Sequence, residues 1–189
     1  MFFFLKPDPI KIQNKLNKAI RRGDKPNYTQ GLDFTKPPDG FNLDHNRILL
    51  GTDCFPTARR QMLNWRMYEI GWVRLCWEDA PIAVGVTIGS LISLGIAWSL
   101  CPVRIVSVID EPRRFGFSFA TLPDHEERGE ERFLVEWLEN GEVWFDIFAI
   151  SRPRHWLARL GKPVVRILQK RFAHGAMHAM LTGVQQFQR

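Results

Sequence analysis

Apolar residues recur at every second position through most of this chain and at every third or fourth position in only three places. The alternating runs lie at about Phe41–Leu50, Gly71–Trp77, Ala83–Ile92, Val103–Asp110, Phe115–Thr121, Glu130–Leu138 and Glu142–Ile150. Alternation is the mark of a strand with one buried face. Helical spacing first appears at Ile12, Leu16, Ala19 and Ile20, a short amphipathic helix among Lys11, Lys15, Lys18, Arg21 and Arg22. The second helix runs from about Phe55 to Trp65, behind the start signal Gly51-Thr52-Asp53. The third is long and begins near Pro163, after a turn around His155–Leu160 and a Gly161-Lys162-Pro163 break. Proline at a first helical position lacks only an N–H that would be unpaired there anyway. Behind an N-terminal arm over 1–40, the order over 41–189 is therefore β-α-β6-α. This is one α+β domain with about seven antiparallel strands.

Residues 81–103, PIAVGVTIGSLISLGIAWSLCPV, carry no charge and match a bilayer in length. Gly85 and Gly89 fit the GxxxG spacing of packed membrane helices. Against a membrane helix, Val84, Val86 and Ile88 alternate with Gly85, Thr87 and Gly89, and Gly and Ser are frequent. Two strands joined by a loop is the expectation.

Asn140-Gly141 favours a two-residue type I′ turn, because both residues tolerate positive φ. That turn pairs Trp137 with Trp144, Val135 with Asp146, Phe133 with Phe148 and Glu131 with Ile150. One face then gathers Phe133, Trp137, Trp144 and Phe148 around Asp146; the other carries Leu134, Ile147, Phe145 and Val143 with Glu136 and Arg132. Pattern alone leaves the inward face open, and the aromatic face is the expected one. Asp146 is then either an acid whose carboxyl pKa is raised among aromatics, or one held by an Arg or a backbone N–H.

Composition adds that seven Trp and fourteen Phe must fill a core or line a cavity. Three cysteines, Cys54, Cys76 and Cys101, form no CxxC pair and suit free thiols. The apolar start, Met1–Leu5, is too short for a signal-peptide core, so a cytoplasmic location is expected. The net charge of +6 is concentrated in the tail: from Ser151 onward there are eight Arg or Lys and no acid. Arg159, Lys162, Arg166 and Lys170, continued by His174 and His178, form one stripe on a helix. Such a stripe serves an anionic membrane or nucleic acid, or is simply a solvated face.

No GxSxG, P-loop, GxGxxG or paired metal-ligand motif is present, so neither a metal nor a cofactor is expected. Asp124-His125-Glu126-Glu127 reads as a polar turn opened by Pro123. Arg152, Arg154 and His155, at the exit of the last strand, could meet Glu130, Glu131 or Asp146 across the hairpin. They would form a charge cluster at a pocket mouth or a lattice pinning helix to sheet.

The strings FGF, TLP, GEERF and SRPRH within 113–155, together with LGTDCFPTARRQMLNWRMYEIGWVRL, PVRIVSVIDEPRRFGF and LARLGKPVVRILQKRFAHGAMHAM, resemble uncharacterised protein family 0548, a bacterial and plant group. The resemblance covers nearly the whole chain, with one departure: AISRPRH carries Ile150 where the family favours an aromatic. It implies no activity. The chain also resembles the START/Bet v 1-like helix-grip fold, which implies a sheet wrapped around the long last helix and enclosing a hydrophobic cavity. The leading expectation is a non-catalytic module binding a small hydrophobic or amphipathic ligand. Its candidate contacts are Phe133, Trp137, Trp144, Asp146, Phe148, Glu131, Arg152 and His155. A cyclase, hydratase or isomerase using Asp146 or Glu131 with His155 is the catalytic alternative, and it requires those side chains to converge in one pocket.

Overall fold

In the computed structural model the chain is described over residues 1–28, 39–77, 79–154 and 162–187. The strands are β1 (Phe2–Phe3), β2 (Asn42–Thr52), β3 (Val73–Cys76), β4 (Thr87–Ser93), β5 (Trp98–Glu111), β6 (Arg114–Thr121), β7 (Glu127–Trp137) and β8 (Glu142–Pro153). The helices are α1 (Pro9–Arg21), α2 (Phe55–Leu63) and α3 (Lys162–Gln185), with a 3-10 turn at Arg66–Tyr68. Seven strands form one antiparallel sheet in the order β2-β8-β7-β6-β5-β4-β3, and β1 adds to β5. Bulges at Leu49/Gly51 and Ile105/Ser107 interrupt the ladders of β2 and β5, and such extra residues bend a strand. The curled sheet receives α3 on its concave side, against β2, β8, α2 and the 3-10 turn. The chargeless segment over 81–103 supplies β4 and the start of β5. Among the described residues no helix is long and apolar enough to cross a membrane.

Both sheet faces are used. Alternate residues of each strand point inward, so Ile88, Val103, Ile105, Phe117, Phe133, Val135, Phe145 and Ile147 join Met62, Trp65, Ala176 and Met180 in the main core. On the outer face of β4 and β5, Leu91 and Leu100 bury Leu16 of α1 in a separate small core. Asp8 caps α1 by accepting from the Lys11 N–H at 2.8 Å, and Pro9 follows at the first turn. The arm is tied further along: Arg104 donates to the Asp24 carbonyl at 2.8 Å, and the Asn27 N–H to the Thr121 carbonyl at 2.9 Å.

The last hairpin differs from its expected register by one residue. Trp137 pairs with Val143, Leu134 with Asp146, Phe133 with Ile147 and Glu131 with Ala149. The Leu138 N–H donates to the Glu142 carbonyl and the Gly141 N–H to the Leu138 carbonyl, which leaves a three-residue loop, Glu139-Asn140-Gly141. Only Gly141 has positive φ, at 88°, as a type I turn closed by a left-handed residue requires; type I′ would need it at Asn140 as well. A one-residue slip sends one strand's side chains to the opposite face. The four aromatics therefore part: Phe133 and Trp137 point inward, while Trp144 and Phe148 point outward, together with Asp146.

The candidate ligand cavity

The concave face is packed at one end and hollow at the other, and side-chain size decides which. Near α2 and the 3-10 turn, Trp65, Phe117, Phe133 and Phe145 interlock, with ring centroids 5.1 Å apart for Trp65–Phe117 and 5.5 Å for Phe117–Phe133. Toward the N-terminal end of α3 the inward positions become small: Ser90, Ser99, Thr121, Gly129, Ala149 and Ser151. Beneath α3 these leave a cavity of about 1110 Å³, closed also by Phe119, Val164, Leu168 and Phe172. Gly129 permits the close approach of β7 and β8, since a Cβ there would lie 2.0 Å from the Ile150 carbonyl oxygen. The Thr121 hydroxyl accepts from the Gly129 N–H at 3.0 Å.

The walls are predominantly apolar, with one polar chain across them. Arg166 of α3 forms a two-pronged ion pair with Asp44 of β2, Nη2 to Oδ1 at 2.7 Å, and donates to Gln169 Oε1 at 3.0 Å. Gln169 in turn donates to both Glu127 oxygens at 2.8 and 3.0 Å and lies 3.1 Å from Ser151 Oγ. Burial raises the Glu127 pKa, and the bonds from Gln169 and Ser151 oppose that rise. Glu131 also lines the cavity. Burial, reinforced by the charges of Glu127 and Asp44, pushes its carboxyl up to about 8. Burial keeps Cys101 at about 11 and raises Tyr68, while His125 falls to about 3 and is neutral. His125 Nδ1 accepts from the Glu127 N–H at 2.9 Å, so the Asp124–Glu127 turn holds a half-buried, hydrogen-bonded imidazole where the sequence indicated only polarity.

The eight candidate contacts divide accordingly. Glu131 is on the cavity wall, and Phe133 packs in the filled core beside it. Trp137 is inward but at the far end of β7, stacked on Phe55 at 6.1 Å. Trp144 is outward under Arg47, 4.6 Å from its ring. Asp146 is outward, 3.2 Å from Arg132 and 2.5 Å from His45 Nε2, which realises the reading of an acid held by an Arg. Phe148 flanks that cluster, 5.7 Å from the His45 ring. The guanidinium of Arg152 lies over Phe41 at 4.8 Å. His155 lies outside the described residues, as does Arg159. Asp146 and Glu131 occupy opposite faces of the sheet and share no pocket, because odd-numbered residues of β7 and β8 face inward and even-numbered ones outward. Arg166 leaves the basic stripe for Asp44, while Lys170, His174 and His178 stay exposed. Asp44, Arg166 and Gln169 carry no motif, and only the pairing of β2 with β8 under α3 assembles them.

A curled antiparallel sheet gripping a long C-terminal helix over a cavity defines the fold class: this is a helix-grip, Bet v 1-like fold. Two solved structures share the fold. One is a hypothetical protein from Helicobacter pylori, with a TM-score of 0.56 and 14% identity, covering 86% of this chain and 96% of that one. The other is an aromatase/cyclase from Streptomyces sp. R1128, with a TM-score of 0.56 and 10% identity, covering 79% and 96%. At these identities the likeness is one of fold alone. Within that class the chain belongs to the UPF0548 family: residues 27–179 match the family described as Domain of unknown function (DUF1990). A UPF0548 protein of Dictyostelium discoideum is 32% identical over 209 residues, covering 97% of this chain and 96% of that protein.

Proposed function

We propose that this protein binds a small hydrophobic or amphipathic molecule between the sheet and α3. The observation that carries the reading is the change from large to small inward residues along the concave face. It leaves a mostly apolar space of about 1110 Å³, just above the ~300–1,000 Å³ common for ligand sites. Titration with the neutral fluorophore N-phenyl-1-naphthylamine tests it. Saturable binding with a blue-shifted emission is expected. Ala149→Phe, which fills the hollow end, should weaken binding at least about tenfold while circular dichroism and the thermal midpoint stay near wild type. Failure of the probe to bind, or equal binding by the filled variant, overturns the reading.

A further inference from the structure

Five acids line the cavity, Asp44, Glu126, Glu127, Glu130 and Glu131, and the fold provides partners for three of them. Asp44 has Arg166, Glu126 has the N-terminal ammonium at 2.6 Å, and Glu127 has Gln169 and Ser151. Glu130 is buried with its Oε2 unpaired among the described residues, but as an even-numbered residue of β7 it faces away from α3. Glu131 stands on β7 between its register partners Phe119 and Ala149, and among the described residues it has no hydrogen-bond or ion-pair partner. Glu131 is half-buried, and an acid drawn partly out of water for structure alone is ordinarily given a cation or donors by its surroundings, since desolvating it unpaired is costly. Arg166 is committed to Asp44, and the two cations of the lining, Lys170 and Arg171, are exposed, with Arg171 over the Trp72 ring. The side chain opposite Glu131 on β8 is a methyl group, so space rather than a partner adjoins the carboxyl.

We infer that the cavity selects molecules carrying a protonated amine on an apolar body, with the Glu131 carboxylate as the counter-ion. The inference rests on the cavity-binding reading above and names the ligand class for the same site. Charge supports it. The five acids of the lining outnumber Lys170, Arg171, the neighbouring Arg166 and the N-terminal ammonium, so a carboxylate, sulfate or phosphate head group would meet more acid than base. A neutral hydroxyl could share one hydrogen bond with Glu131 but would leave it in its protonated form near neutral pH. An ammonium supplies both donor and charge, and its apolar body covers Phe119, Leu168 and Phe172. The acid and its partner then form a charge-assisted hydrogen bond out of water, the strong kind.

The test uses three fluorescent probes with one body, 1-naphthalenemethylamine, 1-naphthalenemethanol and 1-naphthoic acid, titrated into wild type and Glu131→Gln. The amine should bind about 10- to 100-fold tighter than the alcohol, the worth of one charge-assisted hydrogen bond, and the acid should bind most weakly. In Glu131→Gln the amine should fall to the alcohol's affinity while the alcohol is unchanged. Because burial holds Glu131 near 8, the amine's affinity should climb from pH 6 to 8.5 in wild type and stay flat in the variant. The groups facing this site are Asp44 on β2, Tyr68, Cys101 on β5, His125, Glu126 with the N-terminal ammonium, Glu127 and Glu130 on β7, and Arg166, Lys170 and Arg171 on α3; all are retained in the variant, so the difference isolates Glu131. Equal binding of amine and alcohol, or an amine preference that survives Glu131→Gln, overturns the inference while leaving the cavity reading intact. If none of the three probes binds, and N-phenyl-1-naphthylamine does not either, the cavity reading fails and the inference falls with it.

Discussion

Glu131 draws its character from what its neighbours lack. An acid flanked by Phe119 and Ala149, within the field of Glu127 and Asp44, ionises reluctantly, and its pKa of about 8 stands well above the ~4.3 of a glutamate in an unfolded chain. Between those values the folded protein holds a proton that the unfolded chain has released. Stability therefore falls as pH rises through that window and levels off above it. Glu131→Gln removes this component. Its thermal midpoint should gain on wild type between pH 5 and pH 8.5; the same difference at both pH values would refute the burial account. Glu130, pushed up to about 7 by burial, contributes a slope of the same sign in both proteins and cancels in the comparison. Glu131 was legible in the sequence as a candidate, because the last hairpin sets it across from the charged exit that holds Arg152, Arg154 and His155. Its isolation was not, since no pattern states that Arg166 will be taken by Asp44.

At the scale of elements, the strands were legible because alternation survives local detail, and the hairpin shows where that legibility stops. Asn140-Gly141 is compatible with a two-residue and a three-residue loop, and the two differ by one residue of register, hence by which face every side chain of one strand occupies. Docking fixes the choice: the Asp53 N–H donates to the Gly141 carbonyl at 2.9 Å, binding the loop to the end of β2. With the register settled, Val143, Phe145 and Ile147 complete the core, whereas the expected pairing would have put Trp144 and Asp146 there. The same two-sidedness governs α1, which buries Leu16 on the outer face of β4. Leu16→Ala should cost about 2–4 kcal/mol in urea denaturation. Probe binding in the cavity should be unchanged, because the deletion lies on the other side of the sheet. A binding loss matching the stability loss would show that the two faces are coupled.

Across the whole molecule, α3 is held by apolar contacts with α2 and the 3-10 turn at its C-terminal half and by the polar chain at its N-terminal half. Asp44 and Arg166 are each partly buried and meet in two-pronged geometry, which favours a coupling larger than an exposed pair gives. A double-mutant cycle on Asp44→Ala and Arg166→Ala should return roughly 1–2 kcal/mol of interaction energy; a value near zero would remove the pair as an anchor of the helix. The sequence by itself determined the class of the fold: the order of strands and helices, the long last helix, the cavity-forming layout and the family, all of which reside in local periodicity and in contiguous motifs. The tertiary structure alone decided the site. Asp44, Glu127, Glu131 and Arg166 come from three separate elements, and their meeting depends on the β2–β8 pairing and the seating of α3. A carboxyl's charge state and partners are set by everything packed around it, and that surrounding exists only once the chain has closed on itself.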